Sequence, residues 1–145
     1  MEMSFAFFAD AATVPADGKF YVLGGGFSAL ALASLPGMAS FTVVAGFRFT
    51  AADAGTIHIV ELRFVDNLSK LVLPPITMRF ESAGPPPAGA GEVSVSTVSL
   101  LQPTLGEPGE YAAEFWHEGV LLHTVRLHVL EQQRPPTGPG SPPPA

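Results

Sequence analysis

Phe41-Thr-Val-Val-Ala-Gly-Phe-Arg-Phe-Thr50 alternates along its whole length. Phe41, Val43, Ala45, Phe47 and Phe49 fall on one side, and Thr42, Val44, Gly46, Arg48 and Thr50 on the other. Successive side chains of a strand point to opposite faces, so a period of two is the mark of a strand with one buried face. The next segment, residues 56–66, repeats the pattern: Val60, Leu62 and Phe64 share one face, Glu61 and Arg63 the other. In residues 93–101, Val93 and Val95 alternate with Ser94 and Ser96.

Shorter strand signals fill the rest. Residues 4–9 are apolar and aromatic and stop at Asp10. Residues 19–23 form a short strand that ends at Gly24-Gly25-Gly26, after a turn at Val14-Pro-Ala-Asp-Gly-Lys19. Residues 27–33 fit a strand or one helical turn, because a short apolar run does not arbitrate between them. Lys70 to Leu73 is read as a short edge stopped by Pro74-Pro75, since proline donates no ladder hydrogen bond. Residues 76–81, 111–116 and 120–130 complete the set, with a low-complexity loop at 83–91. Many short strands separated by turn signals predict an all-β, antiparallel, immunoglobulin-like β-sandwich of about seven to nine strands.

The closing hairpin permits a sharper expectation. Tyr111, Ala113 and Phe115 should share a face with Val125, Leu127 and Val129. A two-residue turn at Glu118-Gly119 would set Tyr111 against Arg126, which has the wrong parity. A three-residue loop, His117-Glu118-Gly119, sets Tyr111 against Val125 and Phe115 against Leu121, with Gly119 in a G1-bulge position. Trp116 then falls out of phase with the core and Leu122 faces outward beside it. Trp116 and Leu122 are the candidate interface residues on this reading. The competing possibility is that residues 27–33 cover Trp116.

The chain has 145 residues, enough for one ordinary domain. Residues 1–133 are read as that domain and residues 134–145, rich in Pro, Gly and Ser, as a disordered tail. Seven Lys and Arg against thirteen Asp and Glu give a net charge of −6. The basic residues are scattered singly, so neither nucleic acid nor a charged membrane surface is an expected partner. No apolar run approaches the ~20 residues that span a bilayer as a helix. Cysteine is absent, which removes disulfides and thiolate chemistry. The start, with Glu2 and a short apolar run, reads as a strand rather than a leader, and a cytoplasmic protein is expected. Hydrophobic residues make up 47% and charged ones only 14%, so the surface keeps apolar area free for a protein partner or a second copy.

No recognisable catalytic set is visible. His58, His117, His123 and His128 lack the spacing of a converging metal site, and no metal or cofactor is expected. Gly24-Gly25-Gly26 is not followed by Gly-Lys-Ser/Thr or a clear helix, so it reads as a strand connection. Asp10, Asp17, Asp53, Glu61, Glu81 and Glu92 lie in no acid–base motif, and Asp10 is read as a cap or turn residue near Thr13. Gly109-Glu-Tyr111 resembles a tyrosine corner, in which the hydroxyl reaches back to upstream backbone.

Phe7-Phe-Ala-Asp10-Ala-Ala-Thr-Val14, Gly18-Lys-Phe-Tyr-Val-Leu-Gly-Gly-Gly-Phe27 and Pro108-Gly-Glu-Tyr111 together carry a resemblance. The chain resembles a family of small uncharacterised bacterial all-β proteins. Those proteins have an Ala-Asp-x-Ala start, a Gly-Lys strand, a Gly-Gly-x-Phe turn and a late Pro-Gly-x-Tyr. The resemblance covers most of residues 1–130 and implies a bacterial β-sandwich with no assigned activity. Two functional readings follow. One is a non-enzymatic structural or protein-interaction module. The other is a small-molecule-binding or enzymatic β-domain with a pocket between sheets or at the end loops, which would need polar groups on inward positions.

Overall fold

The computed structural model describes residues 1–81 and 88–134. Most of the loop expected at 83–91, and all but the first residue of the tail, lie outside the described residues. Twelve strands occur among the described residues. They are β1 (Glu2–Ala9), β2 (Ala11–Thr13), β3 (Tyr21–Leu23), β4 (Ala29–Leu32), β5 (Gly37–Met38), β6 (Phe41–Thr50), β7 (Ile57–Val65), β8 (Ile76–Glu81), β9 (Glu92–Leu101), β10 (Thr104–Leu105), β11 (Gly109–His117) and β12 (Val120–Glu131). A single 3-10 turn, Ala51–Asp53, joins β6 to β7.

Two principal sheets share one core. One runs β1-β6-β9 and the other β4-β12-β11-β7-β8, while β2-β3 and β5-β10 are two-stranded ribbons. The core is filled by the alternation read above: Phe41, Val43, Ala45, Phe47 and Phe49 from β6 meet Val60, Leu62 and Phe64 from β7 and Tyr111, Ala113 and Phe115 from β11. Aromatic contacts bridge the sheets, with Phe47 ring-to-ring at 4.7 Å from Phe80 and 6.2 Å from Phe115. At the other margin β1 lies against β12, so the two sheets curl toward each other.

Both faces of β6 are covered, which the alternation did not announce. Thr42, Val44 and Gly46 are buried although they point away from the main core. Phe5 and Phe7 of β1 stack on that face, and Phe20 leans on both. Gly46 is required there, because a Cβ would stand 2.3 Å from the Phe5 ring. The β2–β3 ribbon thus roofs a second, smaller apolar layer.

Several expectations are corrected. Residues 27–33 contain a strand, β4, and it pairs in parallel with His128 to Glu131 of β12, so the fold is not purely antiparallel. Residues 70–73 form no strand; only an isolated bridge joins Leu71 to Val65. Val93, opposite Phe49 on the core side, is still 40% exposed near the start of β9.

The closing hairpin is the most informative correction. Its turn has two residues, Glu118 (φ 49°) and Gly119 (φ 78°), as in a type I′ turn. His117 faces Val120 and Trp116 faces Leu121, but Phe115 faces His123. A bulge at Leu122 takes up the extra residue and restores parity, so Tyr111 meets Leu127 and Ala113 meets Val125. The core demanded the right parity; the chain met it with a bulge inside the strand instead of a longer loop. At the start of β11, the Tyr111 hydroxyl donates to the Glu107 carbonyl at 2.8 Å, which is the corner geometry read from Gly109-Glu-Tyr111.

Candidate functional site

The outer face of the five-stranded sheet follows from the pleat. In β7, His58, Val60, Leu62 and Phe64 turn inward, so Ile57, Ile59, Glu61 and Arg63 turn outward. Trp116 of β11 stands opposite Glu61, and Glu114 stands opposite Arg63. Across the hairpin Trp116 also faces Leu121. Directly opposed residues of antiparallel strands share a side, so Trp116, Leu121, Ile57 and Ile59 lie on one surface at the hairpin end. Ile57, Ile59 and Leu121 are 46%, 44% and 43% exposed.

Trp116 is fixed in place. Its indole N–H donates to Glu114 Oε2 at 2.9 Å, and the Arg63 guanidinium lies 4.9 Å over the ring. Arg63 in turn bonds Glu61. A cation over an indole is worth roughly 0.5–1 kcal/mol at a partly exposed site. The indole's polar edge is therefore satisfied within the chain, while the ring sits half-buried between two shallow grooves. Leu71 and Val65 line one groove, and Ile57 and Ile59 the other. The result is an apolar strip with a built-in charged rim of Glu61, Arg63 and Glu114.

The structure separates the two residues predicted to share this face. Trp116 is outside the core, and residues 27–33 do not cover it, since β4 pairs at the opposite end of β12. Leu122 is corrected: at the bulge its side chain packs against the core. Leu121 takes the outward place that Leu122 was expected to hold. Two adjacent leucines after a tight turn leave one for each side, and the loop-or-bulge choice decides which one faces outward.

A second polar cluster was not foreseen. Asp53, at the end of the 3-10 turn, accepts from the Met1 ammonium at 2.6 Å and from the Thr50 amide at 2.8 Å. These contacts, the ammonium first, hold its carboxyl down to about 2 against the opposing cost of burial. His58 is 8% exposed and faces inward; its Nε2 lies 3.1 Å from Asp53 Oδ1, close but without a directed hydrogen bond. Its Nδ1 is 3.3 Å from His117 Nε2. The cluster ties the beginnings of β1 and β7 to the ends of β6 and β11. His123 and His128 remain exposed on β12. Among the described residues no group of three or more His, Cys, Asp and Glu side chains converges as a metal-ligand set.

The remaining candidates have structural partners. Asp10 does not bond near Thr13. Its amide donates to Leu23 and Gly24 carbonyls, and its carboxylate rests on Gly24, where a Cβ would be 2.0 Å from Oδ2. The glycine turn and Asp10 are thus one structural unit. Asp17 accepts from the Lys19 amide, Glu81 pairs with Arg79, and Glu92 pairs with Arg48.

Comparison with known families places the chain. A family of unknown function (DUF6941) matches residues 4–130, and the chain belongs to that family. No curated protein and no solved structure matches it.

Proposed function

We propose, with membership of that family as the premise, that this chain is a non-enzymatic protein-interaction module that docks a partner through the outer sheet face around Trp116. The observation that carries this reading is the outward strip of Trp116, Leu121, Ile57 and Ile59, rimmed by Glu61, Arg63 and Glu114. Tryptophan and arginine are the residues most enriched among energetic hot spots, and a rigid, pre-positioned ring loses little entropy on docking. Binding rather than catalysis is favoured by the interior. The side chains between the sheets are apolar, and the Asp53 cluster is engaged in its own internal contacts. The matching partner surface is apolar at its centre with polar groups that can meet one arginine and two glutamates.

We further read the two-sheet core as immunoglobulin-like. Support comes from the tyrosine corner at Tyr111, while the parallel β4–β12 pair departs from an all-antiparallel arrangement. We also read the chain as a cytoplasmic bacterial protein, and the motif resemblance supports the bacterial part of that reading.

The test is Trp116→Ser together with Leu121→Ser. Both variants should keep the wild-type circular dichroism, while specific protein adducts recovered from the native host with wild type as bait are lost. Retention of every wild-type adduct by folded variants would contradict the assignment.

A further inference from the structure

Among the described residues, strand β9 is a long edge that lacks the usual protections. Among the described residues it pairs only with β6, in ten consecutive pairs from Phe41–Leu101 to Thr50–Glu92 without a register shift. The other outer strands are guarded. β8 has six residues with Arg79 and Glu81, β4 has four residues, and β1 is bulged between Met3 and Phe5 and lies against β12. Natural sheets blunt their edges with charge, proline, bulges or short strands, because an open row of amides and carbonyls accepts another strand. β9 has none of these between Val93 and Leu101. Its one charged residue, Glu92, sits at the end and is compensated by Arg48.

We infer that the β9 edge is the homodimer interface of this protein, with a second copy added antiparallel about a two-fold axis through Thr97. Opposed residues must point to the same face, so the axis passes through a residue and not between two. Centred on Thr97, the sequence Val93-Ser-Val-Ser-Thr97-Val-Ser-Leu-Leu101 is self-compatible. Val93 meets Leu101 and Val95 meets Ser99 on the core side; Ser94 meets Leu100 and Ser96 meets Val98 on the other. Glu92 falls opposite the neutral Gln102, so no like charges are opposed across the pair. The two three-stranded sheets become one six-stranded sheet. This interface is separate from the Trp116 face, which lies on the other principal sheet.

The register supplies its own test. Ser94 is exposed and Leu100 is 59% exposed, so both accept substitution in the monomer. Light scattering of the wild-type chain should give twice the mass of one chain. Ser94→Lys with Leu100→Lys sets lysine against lysine at both ends of the dimer and should give the mass of one chain with unchanged circular dichroism. Ser94→Glu with Leu100→Lys makes the same opposed positions complementary and should return the dimer. In the wild type, hydrogen exchange of the β9 amides should also slow as protein concentration rises. A monomeric wild type, or a folded double-lysine variant that stays dimeric, would overturn the inference. Exchange in β9 that is independent of concentration would overturn it as well, even where a variant fails to fold. Trp116→Ser leaves this readout unchanged, so failure here is distinct from failure of the Trp116 face.

Discussion

Trp116 lies directly across the hairpin from Leu121, and both stand on the surface opposite to the side where neighbouring Phe115 is buried. Trp116 is the single tryptophan, so its fluorescence reports this face alone. In the native chain acrylamide should quench it readily, and unfolding should move its emission only modestly. Emission fully shielded from quencher in the isolated chain would place the ring inside.

Trp116→Ser should cost less than about 2 kcal/mol, because what it removes is a partly exposed ring and a cation contact rather than core volume. Chemical denaturation measures this. A loss of several kcal/mol, on the scale of a buried tryptophan, would contradict the outward placement.

Phe47→Ala should destabilise the domain by roughly 3–5 kcal/mol. Phe47 is fully buried and touches Phe80 and Phe115 across the core. A loss below about 1 kcal/mol would mean that the two sheets do not close on this ring.

Tyr111→Phe keeps the ring, which stacks on Phe64, but removes the hydroxyl that donates to the Glu107 carbonyl. The expected loss is about 0.5–1.5 kcal/mol, the net worth of one hydrogen bond. A larger loss in urea titration would mean that the corner organises more of the β10–β11 connection than one bond.

Asp53 has a folded pKa near 2, below its ordinary 3.8. A group depressed on folding contributes stability that is fully present above the unfolded value and is lost as pH falls through the folded one. Asp53→Asn should therefore lower the urea midpoint at neutral pH. Its deficit relative to wild type should shrink as pH falls from about 4 toward 2. A deficit constant across that range would show that the carboxylate's charge is not what stabilises the turn.

Much of the fold was legible because one face of each long strand must be apolar. Phe41–Thr50 and the Val60, Leu62, Phe64 series declared their inward sides directly. The second layer over Val44 and Gly46 was not legible, because a half-polar face looks the same whether water or a ribbon covers it. The hairpin register shows another limit. Parity fixed which residues share a side, yet both a longer loop and a bulge satisfy parity, and the structure uses the bulge. Trp116 could be placed from its phase, whereas Leu122 could not, since its direction depends on that same choice. The Asp53–His58–His117 contacts join residues from three separate segments, a proximity that no local spacing encodes.

The most direct test of the interaction face is photocrosslinking in the native host from a probe at position 121, with a matched probe at the exposed Leu23 as control. The interaction face around Trp116 should give a discrete adduct with another protein from position 121, absent from position 23 and lost when Trp116→Ser is added. The same adducts from both positions, or none from position 121 in a folded chain, would contradict it.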